Sequence, residues 1–250
     1  MQTINDVVIR LDATVQQCIH TKNRAGYFAA LYKRMTAAVA EGIQQHAFED
    51  GPRMERLDVI FAKRYTDAYD AYYSGKPCSS SWKLVFDCCN NNNLTVIQHL
   101  LLGINTHINL DLAVAAALTC PGNSINALQH DFNKINDVIN SLVDDVQESL
   151  CRVWWPMRMI TKIANGRQEA VLNFSIDKAR DASWASALLL AGMTAEQQQV
   201  YVQQMDIVVQ RLGTGIESPG ILSHYLLQTI RAIEYDDVAQ VINIIDTTVA

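Results

Sequence analysis

Residues 96–118 read VIQHLLLGINTHINLDLAVAAAL, an apolar stretch that carries a file of polar side chains. Leu, Ile, Val and Ala place it in a core, yet His99, Asn105, His107, Asn109 and Asp111 lie within it. Wound as a helix at about 100° per residue, His99, Gly103, His107 and Asp111 fall on one slowly drifting line. Asn105 and Asn109, also one turn apart, fall nearly opposite. A helix polar on two faces and apolar between them is not a surface helix with a single wet side. Both polar lines then need partners from other helices, because each buried polar group left unpaired costs about 1–3 kcal/mol. Gly103 in mid-helix costs up to about 1 kcal/mol relative to alanine, so either a closely packed neighbour or a ligand needs that space.

Outward from this stretch, segment after segment repeats the i, i+3, i+4, i+7 recurrence of amphipathic helices, and none shows sustained strand alternation. The spacing predicts helices over 2–21, 25–48, 51–73, 80–90, 94–118, 124–154, 157–165, 168–192, 195–215, 219–233 and 235–247. The expected fold is all-α, a single domain over 1–250 built as a bundle of about ten helices around a central buried one. Breakers agree: Gly51-Pro52 opens the third helix, Gly75-Lys76-Pro77 closes it, Pro121-Gly122 separates the central pair and Ser218-Pro219-Gly220 precedes the penultimate helix. Asn93, Ser124 and Thr194 stand where N-caps are expected. Asn90 to Asn93 form a run whose side chains compete for backbone hydrogen bonds, which reads as a loop. No fixed-period repeat is present.

Composition narrows the function classes. With 250 residues, 49% hydrophobic and 18% charged, the chain can bury one sizeable core. A net charge of −6 and scattered Lys and Arg give no footprint for nucleic acid. The opening MQTINDVVIRLDATVQQCIH lacks the form of a signal peptide, and no stretch reaches the roughly 18 uninterrupted apolar residues of a membrane span. A cytoplasmic location is the resulting expectation. The six cysteines, Cys18, Cys78, Cys88, Cys89, Cys120 and Cys151, include no CxxC pair and read as buried thiols.

Partners for the central helix are limited. The third helix offers Arg53, Asp58, Arg64, Tyr65 and Tyr69, with Asp58, Phe61, Tyr65 and Tyr69 near one face. The helix after Pro121 offers His130, Asp131, Asn133, Asn136, Asp137 and Asn140. His107 and Asp111, with Asp131 or Asp58 and with His99, would make a mixed nitrogen and oxygen shell for a divalent metal inside a bundle. Arg180 and Trp184, one turn apart, would set a guanidinium for a carboxylate or anionic substrate beside an aromatic wall. Each has a plainer reading: a hydrogen-bonded His and Asp pair, structural asparagines, an ion-paired arginine and a core tyrosine stripe. GxSxG, Walker, GxGxxG and HExxH motifs are absent, which removes the common hydrolase, kinase and dehydrogenase readings.

GINTHINLDLAVA, preceded by VIQHLL and followed about twenty residues later by DFNKIN, together with RLDVIFAKRY and RDASW, resembles a bacterial family catalogued as domain of unknown function 5995. The resemblance covers most of the chain and implies that His99, Asn105, His107, Asn109, Asp111, Asp131, Asn136, Arg180 and Trp184 belong to one constellation. A second likeness is to type I terpene synthases, whose Asn, Ser/Thr, Glu magnesium triad is similar to Asn136, Asn140 and Asp144, with Asp144 to Glu148 similar to an aspartate-rich motif. Here the two motifs overlap on one helix instead of facing each other, and two of the three triad positions differ.

The leading expectation is an internal polar pocket. His107, Asp111 and Arg180 would act in catalysis, Asn105, Asn109, Tyr65 and Trp184 would bind substrate, and His99, His107, Asp111 and Asp131 would bind a divalent metal. That set suits hydrolase-like or lyase-like chemistry on a small molecule. The alternatives are a non-enzymatic small-molecule binding or interaction protein whose polar groups form a satisfied network, and a divergent terpene-synthase-like enzyme.

Overall fold

The computed structural model describes residues 1–138, 167–220, 227–228 and 230–247, the side chains of 167–177 excepted. The described residues form helices and connections with no strand, the all-α fold that the periodicity predicts. In chain order they are α1 (Ile4–Thr21), α2 (Ala25–Gln44), α3 (Gly51–Tyr73), α4 (Ser80–Cys88), α5 (Val96–Thr106), a π-helical turn (His107–Leu112), α6 (Ala113–Thr119) and a 3-10 helix (Gly122–Leu128). Residues 129–138 are helical, and α7 (Arg167–Ala191), α8 (Ala195–Glu217) and α9 (Val238–Asp246) follow.

Local chemistry sets most of the ends. Thr3 and Asp6 close a capping box on α1, and Lys22 in the left-handed region ends that helix. Asp50 accepts from the Arg53 amide at the start of α3, with Pro52 in its first turn. Thr194 caps α8 as expected, with Gln197 completing the box. Two expected caps are corrected. Thr95 rather than Asn93 caps α5, reciprocally with Gln98, and Ser124 turns its hydroxyl back to the Pro121 carbonyl within a 3-10 helix. The second helix also stops earlier than its apolar pattern, because His46 takes a positive φ after Gln44. The expected helix 157–165 lies outside the described residues.

Two buried apolar clusters meet at the central stretch. One gathers Val7, Leu11 and Val15 of α1, Phe28 of α2, Trp82 and Phe86 of α4, Leu102 of α5 and Ile242 of α9. The other gathers Met54 and Leu57 of α3, Leu112 and Ala113 to Ala117, Leu128, Phe132 and Leu190 of α7. Val96–Thr119 runs through both as one continuous helix, so the π turn falls at their junction. Among the described residues this helix is long and apolar enough to cross a membrane, and it is mostly buried inside the protein, as a core helix is.

Gly103 is explained by packing. A Cβ there would come within 2.5 Å of the Phe28 ring, so α2 and α5 approach closely at this point. Gly103→Ala should therefore destabilise the protein by about 1–3 kcal/mol through overpacking, although alanine is the better helix former. Chemical denaturation measures this, and unchanged stability would show that Phe28 moves aside freely.

Candidate functional site

The π turn widens the central helix by one residue per turn, a local irregularity that is frequent at functional sites. On it, His107 and Asp111 face each other with Nδ1 and Oδ2 3.1 Å apart, both buried. Two further donors reach the same carboxylate from other helices. Arg64 of α3 donates from Nε to Oδ1 at 2.7 Å, and Trp82 of α4 donates from Nε1 to Oδ2 at 2.9 Å. The carboxylate thus ties α3, α4 and the π turn together.

This arrangement fixes the state of the imidazole. A carboxylate only accepts, so Nδ1 of His107 carries the proton and Nε2 presents its lone pair. Burial drives the His107 pKa down, while the Asp111 hydrogen bond and charge act upward, and the net shift is downward. The ring is a neutral base, and its Nε2 is buried with no hydrogen-bond partner among the described residues.

Aromatic rings wall that nitrogen in. Phe61 stacks on the imidazole at 3.6 Å between centroids with planes 8° apart, and Tyr32 meets it edge-on at 4.4 Å. Phe28, Tyr65 and Trp82 complete the wall at 5.7, 6.1 and 6.0 Å. Tyr65 Oη of this shell, and Asp58 Oδ2 one turn from Phe61 on α3, are also buried without a hydrogen-bond partner among the described residues, whereas Tyr32 Oη has Thr36 beside it. Burial raises both phenols well above their usual range. Each unpaired buried atom costs about 1–3 kcal/mol, which a ligand's hydrogen bonds would offset.

The other expected site residues lie elsewhere. Asp131 accepts from the amides of Glu49 and Asp50 at 2.8 and 3.1 Å and from Arg53 Nη2 at 2.7 Å, anchoring the start of α3. His99 meets Tyr27 edge-on near Arg24 and Arg231, and burial lowers its pKa to about 3, with both guanidiniums adding to the effect. Asn109 donates to Asn105 Oδ1 at 3.1 Å, and Asn105 donates to the Val209 carbonyl at 3.0 Å, clamping α8 to the central helix. Arg180 donates to the Phe132 carbonyl and lies over the Phe132 ring, which also contacts Trp184. Of the expected constellation, the structure brings together His107, Asp111 and Tyr65.

The expected metal set is not assembled. Among the described residues no three His, Cys, Asp or Glu side chains converge as ligands. Asp111 already accepts three hydrogen bonds and Asp131 its own three. Of the terpene-synthase-like residues, Asn140, Asp144 and Glu148 lie outside the described residues. Arg64 and Asp58 were among the third-helix candidates, whereas Trp82, Phe28, Tyr32 and the stacking role of Phe61 carried no local signal of a shared site.

With this geometry in place, comparison with known proteins adds one finding. The sequence model of DUF5995, a family of unknown function, matches residues 4–219. No curated protein and no solved structure matches the chain.

Proposed function

The chain belongs to the DUF5995 family, a family of unknown function, and from that premise we propose that it is an enzyme that moves protons on a small molecule, with His107 as its base. One observation carries the reading: a buried imidazole whose Nδ1 is held by a triply bonded carboxylate while its Nε2 has no partner among the described residues. A carboxylate that fixes the tautomer and orientation of a histidine leaves the other nitrogen as the proton acceptor. Asp111 is then the positioning residue, and Arg64 and Trp82 hold Asp111. Taking a proton from water or from carbon fits the hydrolase-like or lyase-like class.

A second reading is a structural network without catalysis. It is favoured by the way the Asp111 carboxylate joins three elements. His107→Phe separates the two. If the imidazole serves chemistry, phenylalanine fills the aromatic shell and removes a buried unpaired nitrogen, which offsets the loss of the Nδ1–H bond to an Asp111 still held by Arg64 and Trp82, so stability should change by less than about 1 kcal/mol. Thermal shifts caused by a panel of small hydroxy ketones and ketones should then be seen in the wild type and vanish in the variant. A loss of several kcal/mol, with no compound telling the two proteins apart, would select the structural network.

A further inference from the structure

We propose that Asp58 supplies the acid that complements the His107 base, donating a proton to a leaving hydroxyl or a carbonyl oxygen of a small uncharged molecule. The inference rests on the reading of His107 as base and adds to it the second group and the substrate class.

The placement comes first. Asp58, Phe61 and Tyr65 are spaced by three and four residues and so lie on one face of α3. Phe61 on that face stacks on His107, and Tyr65 contacts the same ring. Across from them, Tyr32 of α2 meets the imidazole edge-on and feels the charges of both Asp58 and Asp111. Asp58 therefore lies on the α3 face that packs against His107, close to Tyr32.

Its bonding comes second. Asp58 is buried, and its Oδ2 has no hydrogen-bond partner among the described residues. Of the guanidiniums on the same helix, Arg53 is engaged by Asp131 and Arg64 by Asp111, while Arg56, two residues from Asp58, falls on nearly the opposite face. The charged or titratable groups brought to this shell are Tyr32 from α2, Arg64 and Tyr65 from α3, and His107 and Asp111 from the π turn, while α6 (AVAAALT) brings none. A carboxylate buried without a cation is disfavoured relative to the neutral acid, and burial raises the Asp58 pKa to about 7. Burial acts in opposite senses on the two proposed partners, lowering the pKa of the His107 imidazole and raising that of the Asp58 carboxyl, so the first is left free to accept a proton and the second keeps one to give. Environments that push two titratable groups apart in this way mark the base and the acid of a site.

The chemistry balances as an elimination. His107 Nε2 takes a proton from carbon, and the C–H electron pair becomes the new C=C bond. The C–O bond on the neighbouring carbon breaks with its pair on oxygen, which takes the Asp58 proton and leaves as water. An imidazolium and a carboxylate remain, and return of the proton from His107 to Asp58 restores both. Arg64 is compensated by Asp111 and aromatic rings surround the imidazole, which suits an uncharged ligand.

Chemical labelling of the folded protein tests this directly. A small diazo amide esterifies protonated carboxylic acids, the acid proton passing to the diazo carbon, the carboxyl oxygen bonding to it and N₂ leaving. Diethyl pyrocarbonate acylates neutral imidazole, in His107 at Nε2. Mapped by mass spectrometry, Asp58 should be esterified, with the yield falling about tenfold between one pH unit below and one above its midpoint near 7. Esterified molecules should be protected at His107 and acylated ones at Asp58. Asp58→Asn should lose the ester and keep His107 reactive. Acylated His107 with Asp58 unmodified between about pH 5 and 8, or both labels on one molecule, would overturn the acid assignment and leave the base standing. No reaction at His107 would overturn both.

Discussion

Asp111→Ala is expected to cost about 3–5 kcal/mol of folding stability, the range for removing one partner of a buried ion pair. The substitution leaves Arg64, the Trp82 indole N–H and His107 Nδ1 without their shared acceptor. Arg64 retains 27% side-chain exposure and can turn to solvent, which places the loss toward the lower end. Two consequences are separable in one protein. Urea unfolding reports the stability, and ¹⁵N NMR of the imidazole reports the tautomer, which should no longer be held as Nδ1–H. A loss below about 1 kcal/mol, the level of a solvated surface pair, would mean that the three donors find other partners and that Asp111 does not organise the site.

Asp131→Asn should cost a similar amount, about 3 kcal/mol, for a reason unconnected with the π turn. Its carboxylate is fully buried and holds Arg53 and the two amides at the entry to α3. Burial alone would raise its pKa, but Arg53 and the Glu49 and Asp50 amides outweigh burial and hold it below the usual carboxylate value. The sign follows from that lowering. The folded state binds the proton less readily than the unfolded state, so the stabilisation is fully present above about pH 4 and is lost as pH falls through the lowered folded value. The gap in unfolding free energy between wild type and Asp131→Asn should be constant near neutrality and shrink in acid. A gap that persists unchanged in strong acid would show that Asp131 acts through shape alone. Because this anchor lies outside the shell around His107, the variant should keep His107 in its Nδ1–H tautomer.

Sequence periodicity by itself determined that the chain is helical, that 96–118 is a core helix, and that His107 and Asp111 share a face. Each of these is a property of a few neighbouring residues: 3.6 residues per turn places i and i+4 together, and the π turn at His107–Leu112 keeps His107 and Asp111 in contact. The same geometry argues against the longer line. A drift of about 40° per step turns His99 roughly 120° away from Asp111 over three steps, and the structure places it among Tyr27, Arg24 and Arg231 instead. Only the tertiary structure decided the partners. Arg64 and Trp82 stand 47 and 29 residues from the carboxylate they reach, and that meeting depends on how α3 and α4 cross the central helix. The close approach of Phe28 to Gly103, the engagement of Asp131 by Arg53 and the widening of the helix at His107 have the same origin. Each is settled by competition among distant groups for one packed volume and one set of hydrogen bonds, whereas local spacing encodes which face a residue takes and not which residue waits across from it.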